Sequence, residues 1–192
     1  MKTKAEIKAQ EKYEQGLHEK AELGDALRIL LKKNTLENIT IKEIFEKAKV
    51  TRSCFYKYFP TKEDLAEWEY IHLLALEAKH IVASESWSEA LYKKFQLYEK
   101  HYQFFRHLYG SKNIDQIRRH NVRFTRGAYT KMLKKGGADL SNPHILFALE
   151  MAVVGGEEMT MRWIVSGMKA PKEVLLVLFQ ESIPKCICQY FQ

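Results

Sequence analysis

"KVTRSCFYKYFPTKEDL", residues 49–65, decides how the rest of the chain is read. Between Lys49 and Lys62 it holds four basic residues and no acid, and four of the five residues from Phe55 to Phe59 are aromatic. Thr51 suits a helix N-cap, because its hydroxyl accepts from a free N–H of the first turn. A short helix over 52–59 follows. Pro60 ends it, since the residue before a proline is pushed out of the helical region. Thr61 then caps a fresh helix, with Asp64 in the N3 place.

Working upstream, "TIKEIFEKA" (40–48) is another short helix. Thr40 and Glu43 form a capping box, and Ile41, Ile44, Phe45 and Ala48 make one apolar stripe. "AKV" (48–50) is the turn between the two helices, so residues 40–58 have the shape of a helix-turn-helix. On the later helix Val50, Cys54, Phe55 and Phe59 can pack inward, anchoring a helix too short to be stable alone. Arg52, Ser53, Tyr56 and Lys57 fall on the other side. Arginine can bridge the O6 and N7 of guanine, and tyrosine and lysine can hold phosphates, so this face suits double-stranded DNA. Tyr58 is expected to turn its phenol the same way. Lys62 adds an ammonium to a helix first turn that already favours an anion. The plainer reading is a core hairpin with a solvated basic edge.

The remaining sequence is helical in period. "GLHEKAELGDALRILLKK" (16–33) repeats apolar or small residues at Leu17, Ala21, Gly24, Leu27 and Leu31. The helix opened by Thr61 runs to about residue 83, and others are predicted near 87–101, 102–110, 113–135, 143–167 and 171–190. Pro143 and Pro171 sit at helix starts, and Pro184 is expected to kink the last helix. No strand alternation persists. With few glycines and prolines, 9 and 4, this predicts an all-α protein. It has an N-terminal three-helix unit over 1–65, with the helix-turn-helix, and a C-terminal helical bundle over 66–192.

Composition excludes several classes. No apolar run approaches the roughly 20 residues needed to cross a membrane. "MKTKAEIKAQEKYEQ" has no signal-peptide core. The expected location is the cytoplasm, with no membrane partner. Cys54, Cys186 and Cys188 make no disulfide framework, and the lone C-x-C lacks a second ligand pair for zinc. No G-x-S-x-G, H-E-x-x-H or phosphate-binding loop occurs, and the 7 histidines are scattered. No enzyme, cofactor or metal is expected. Net charge is +7, but residues 1–70 hold 14 Lys+Arg against 13 Asp+Glu, so total charge argues little for the N-terminal unit.

"ALRILLKKNTLENITIKEIFEKAKVTRSCFYKYFPTKEDL" (26–65) resembles the DNA-binding region of the TetR family of transcriptional regulators. The family pattern has an Ile/Thr-rich second helix, an A-G-V-like turn, an S-x-x-x-[LF]-Y-x-[HY]-F recognition helix and a following K-E-[DE]-L. Here these are "ITIKEIFEKA", "AKV", "TRSCFYKYF" and "TKEDL". Lys49 replaces the usual turn glycine, so a left-handed residue there costs about 1 kcal/mol. The resemblance implies a homodimer that reads a palindromic operator. Arg52, Ser53, Tyr56 and Lys57 would lie in the major groove, Thr40, Tyr58 and Lys62 on flanking phosphates, and Thr51 at the helix start. Repression is the commoner mode in that family. The alternative is a coactivator of the same fold that binds protein in place of DNA.

The resemblance further implies a divergent C-terminal part that dimerises and often binds a small effector. Trp87, Phe95, Tyr98, Tyr102, Phe105, Tyr109, Phe124 and Tyr129 are either core or the wall of a pocket. The candidates for effector contact are Tyr98, Tyr102, Phe105, Phe124 and Arg123. Residues 106–135 hold nine basic residues and one acid, which suits either a solvated face or an anionic effector. Segments 143–167 and 171–190 are apolar on more than one face and are the candidate two-fold interface. Gly155–Gly156 would allow close helix approach or a kink.

Overall fold

The computed structural model describes residues 4–191, and for residues 4, 5, 7, 77–80 and 82 the backbone alone. Among the described residues every regular element is helical. Helix α1 (Lys4–Leu30) begins well before residue 16. Its first turns are built from strong helix formers without an apolar stripe, so the hydrophobic period gives no sign of them. A 3₁₀ turn (Leu36–Asn38) leads into α2 (Ile41–Lys47) and α3 (Arg52–Tyr58).

The caps are those the sequence predicts. The Thr40 hydroxyl accepts from the Glu43 N–H, and the Thr40 N–H donates to the Glu43 carboxylate at 2.7 Å. The Thr51 hydroxyl accepts from the Cys54 N–H at 3.2 Å. Between the helices Lys49 has φ +56°, and the Val50 N–H reaches back to the Phe45 carbonyl at 3.0 Å. This is a left-handed helix ending built on lysine in place of glycine. Phe59 is extended before Pro60, and the Thr61 N–H donates to Asp64 at 3.0 Å, opening α4 (Lys62–Val82). Leu23 and Leu27 of α1 and Leu31 just after it are buried with Ile39, Ile44, Phe55, Phe59 and Leu65 in one core.

Helix α4 belongs to both halves of the molecule. It packs on α1 at one side and on α5 (Trp87–Lys100) and α7 (Asp115–Lys135) at the other. The Tyr70 hydroxyl of α4 donates to Asn121 Oδ1 of α7 at 2.6 Å, and Tyr109 of α6 (Tyr102–Tyr109) donates to Tyr70 at 3.2 Å. These groups are buried, so their mutual bonds hold three helices at fixed angles. A second tie joins the halves: the Leu36 N–H donates to the Ser111 hydroxyl at 2.8 Å.

Helix α8 (Pro143–Val165) packs on α6 and α7, and α9 (Lys172–Ser182) packs on α5. The last helix does not kink at Pro184; it ends at Ser182. Ile183 is extended, as the residue before proline prefers, and only a 3₁₀ turn (Cys188–Phe191) follows. Space beside Gly155 is open, whereas the Phe179 ring of α9 lies 3.3 Å from where a Cβ on Gly156 would stand. No helix among the described residues is long and apolar enough to cross a membrane.

Candidate nucleic-acid interface

Helix α3 divides by face. Phe55 is fully buried, and its ring meets Phe59 at 6.2 Å between centroids. Arg52, Ser53, Tyr56 and Lys57 are exposed, Tyr56 by 46%. The Arg52 guanidinium sits 5.6 Å from the Tyr56 ring centroid and forms no ion pair among the described residues. Ser53 Oγ lies 2.9 Å from Thr51 Oγ1. Arg52, Ser53 and Tyr56 are thus an exposed set of donors on one short helix with a rigid apolar back.

The other candidates are engaged within the chain. The Tyr58 hydroxyl donates to Glu19 Oε2 of α1 at 2.5 Å, and Lys57 Nζ donates to the same oxygen at 3.0 Å. The phenol, and after it Lys57, hold the Glu19 carboxyl down at about 2. Tyr58 and Glu19 in turn hold the Lys57 ammonium above its ordinary range. Lys62 Nζ donates to the Ile39 carbonyl at 2.7 Å and the Glu37 carbonyl at 3.3 Å, fastening α4 to the 3₁₀ turn. Thr40 and Thr51 are exposed caps. Glu19 carries no local signal in the sequence, and only the packing of α1 beside α3 brings it in.

The C-terminal half contains a cavity of about 800 Å³ lined by α4, α5, α7 and the C-terminal turn. Trp87, Phe124, Tyr129, Met132 and Tyr190 are among its walls, with Lys94 and Thr125 supplying polar groups. Both donate to Glu157 Oε1, Lys94 at 2.7 Å and Thr125 at 2.6 Å. Burial pulls the Lys94 ammonium down, but the Glu157 carboxylate more than offsets this and leaves it raised. Of the effector candidates, Phe124 lines this cavity. Tyr98 and Phe105 are fully buried against each other, 4.7 Å between ring centroids. Tyr102 stacks with Arg106, and Arg123 is exposed beside His120. No cluster of metal-ligating side chains occurs among the described residues.

An all-helical chain with a capped helix-turn-helix, a donor-bearing second helix and a cavity-containing bundle belongs to the class of DNA-binding regulators. Residues 24–67 match the model of bacterial regulatory proteins of the tetR family, and residues 85–185 match that of a transcriptional regulator C-terminal region. The chain belongs to the TetR family, and is a DNA-binding regulator of transcription, not an enzyme. No curated protein matches it by sequence. Among solved structures it is similar in fold to the dihydroxyacetone kinase operon activator DhaS, at TM-score 0.64 and 16% identity, over 91% of this chain and 98% of that one.

Proposed function

We propose that the protein is a homodimeric repressor that binds a palindromic operator and is released by a small effector. Residues 1–65 read the DNA, and residues 66–192 dimerise and take the ligand. The observation that carries this is the exposed trio Arg52, Ser53 and Tyr56 on the rigid back formed by Phe55 and Phe59. These side chains suit base edges in the major groove, and Thr40, Thr51, Lys57, Tyr58 and Lys62 flank them. Two-fold protein symmetry then requires matching half-sites.

The test is binding to a palindrome selected from a random pool by the parent protein. Arg52→Ala is expected to cost about 1–3 kcal/mol and to relax the preference at one position of each half-site. Parent-like binding with unchanged preference would overturn this reading. A parent that selects no duplex at all would favour the coactivator alternative.

The effector reading moves from the buried rings to the 800 Å³ cavity, whose walls suit an apolar molecule with one polar group for Lys94 or Thr125. A fitting ligand at a hundredfold excess over its Kd should raise stability by about 2.7 kcal/mol. Ala128 lines the cavity, and Ala128→Trp should obstruct part of it and reduce that gain. A ligand that stabilises parent and obstructed variant equally, by thermal melting, binds elsewhere and removes support for this site.

A further inference from the structure

The contact between α1 and the end of the recognition helix has a consequence for affinity that rests on α3 being the DNA-facing element. Glu19 accepts hydrogen bonds from two neighbouring DNA candidates through one oxygen, Tyr58 at 2.5 Å and Lys57 at 3.0 Å. The arrangement is built from several sides. Helix α1 passes beneath the Tyr58 ring at Gly16, where an added Cβ would stand 3.4 Å from the phenol oxygen. The Lys57 and Lys20 ammonium groups flank the same ring, at 4.6 Å and 5.4 Å from its centroid. An added Cβ there would only make ordinary contact with the ring, so α1 lies within van der Waals reach of the phenol.

The chemistry of the donors decides what this does. A phenol has one O–H, and a phosphate oxygen only accepts. While Tyr58 donates to Glu19 it has nothing to donate to DNA. Lys57 keeps two of its three N–H groups, but its charge is matched by a carboxylate held in direct contact. That carboxylate is itself an anion beside the surface that must approach a polyanion. We infer that Glu19 is an internal competitor for the DNA phosphates, a positioning residue that occupies Lys57 and Tyr58 in the free protein and yields them to the duplex. Recognition through Arg52 and Ser53 is untouched by it. Glu19 therefore lowers affinity for all sequences alike and leaves base preference unchanged.

Glu19→Gln tests this on the full-length protein. The amide oxygen still accepts from Tyr58, so the fold is expected to persist, as thermal melting will show. Binding is measured across stepped salt to a random-sequence duplex and to the palindrome selected by the parent. Glu19→Gln should bind both about fivefold more tightly, the scale of releasing one exposed ion pair. Its salt dependence should be steeper by roughly one unit, as Lys57 becomes a full phosphate partner. That added slope should vanish when Lys57→Ala is combined with it. Unchanged or weaker binding by Glu19→Gln overturns the inference and makes Glu19 a support that holds the donors ready. If the parent binds neither duplex at any salt, the placement of α3 on DNA fails first, and the competitor role falls with it.

Discussion

Phe147→Lys is expected to convert the proposed two-fold dimer into a monomer and to weaken binding to the proposed operator by about 100- to 10,000-fold. Phe147 on α8 is 70% exposed, and Met151 and Val154 follow it at helical spacing, also exposed. Val174, Val177 and Leu178 make a comparable exposed stripe on α9. Apolar side chains in rows on two neighbouring helices, with open space beside Gly155 between them in sequence, suit burial against a second copy. A lysine at the most exposed position would place two like charges across the symmetry axis while leaving the monomer core intact. The loss in binding follows because a dimer holds its second half-site at high effective concentration and a monomer does not. Sedimentation equilibrium should give twice 22.6 kDa for the parent and 22.6 kDa for the variant. A parent that sediments as a monomer at micromolar concentration, or a variant that stays dimeric, would show that this face is not the interface.

Glu69→Gln is expected to stabilise the protein by about 3 kcal/mol at pH 8 and to have almost no effect near pH 4. Glu69 of α4 is 1% exposed, and one of its carboxylate oxygens has no hydrogen-bond partner. The other lies 3.4 Å from the Arg28 guanidinium of α1, which also pairs with Asp25. Burial dominates over this attraction and pushes the carboxyl from 4.5 up to about 7. The folded state therefore holds the proton more tightly than the unfolded state. Stability from this group is full below about pH 4.5, is lost as pH rises towards 7, and is level above that, a difference of about 3 kcal/mol. Glutamine keeps the shape and cannot ionise, so the variant should lack this part of the pH dependence. Chemical denaturation at stepped pH reads it directly. Parallel curves for parent and variant between pH 4 and pH 8 would mean that water or a partner already satisfies the carboxylate. Because a Cβ on Gly24 would collide with the Glu69 carboxylate, Gly24→Ala should also disturb the α1–α4 contact that joins the two halves.

What the sequence determined on its own was local. The caps at Thr40, Thr51 and Thr61, the stop at Pro60 and the left-handed turn at Lys49 all rest on bonds or clashes between residues at most five apart, and each is found where the chain predicts it. The resemblance over residues 26–65 belongs with these, since its pattern is one of order and spacing, and it carried the family. Apolar period and caps located the nine α-helices found among the described residues, but lost the beginning of α1, where charged helix formers leave no stripe, and ran the last helix past Pro184. Tertiary packing decided the rest. Glu19 meets Lys57 and Tyr58 across 38 and 39 residues, so no spacing rule within one helix can announce it. Tyr98 and Phe105 are rings on helices just as Trp87, Phe124 and Tyr129 are. Whether a ring faces another ring or a cavity depends on how helices from distant parts of the chain are set against each other. The same holds for Glu69: its identity is written in the chain, but its displaced titration exists only once α1 closes over α4 and removes the water.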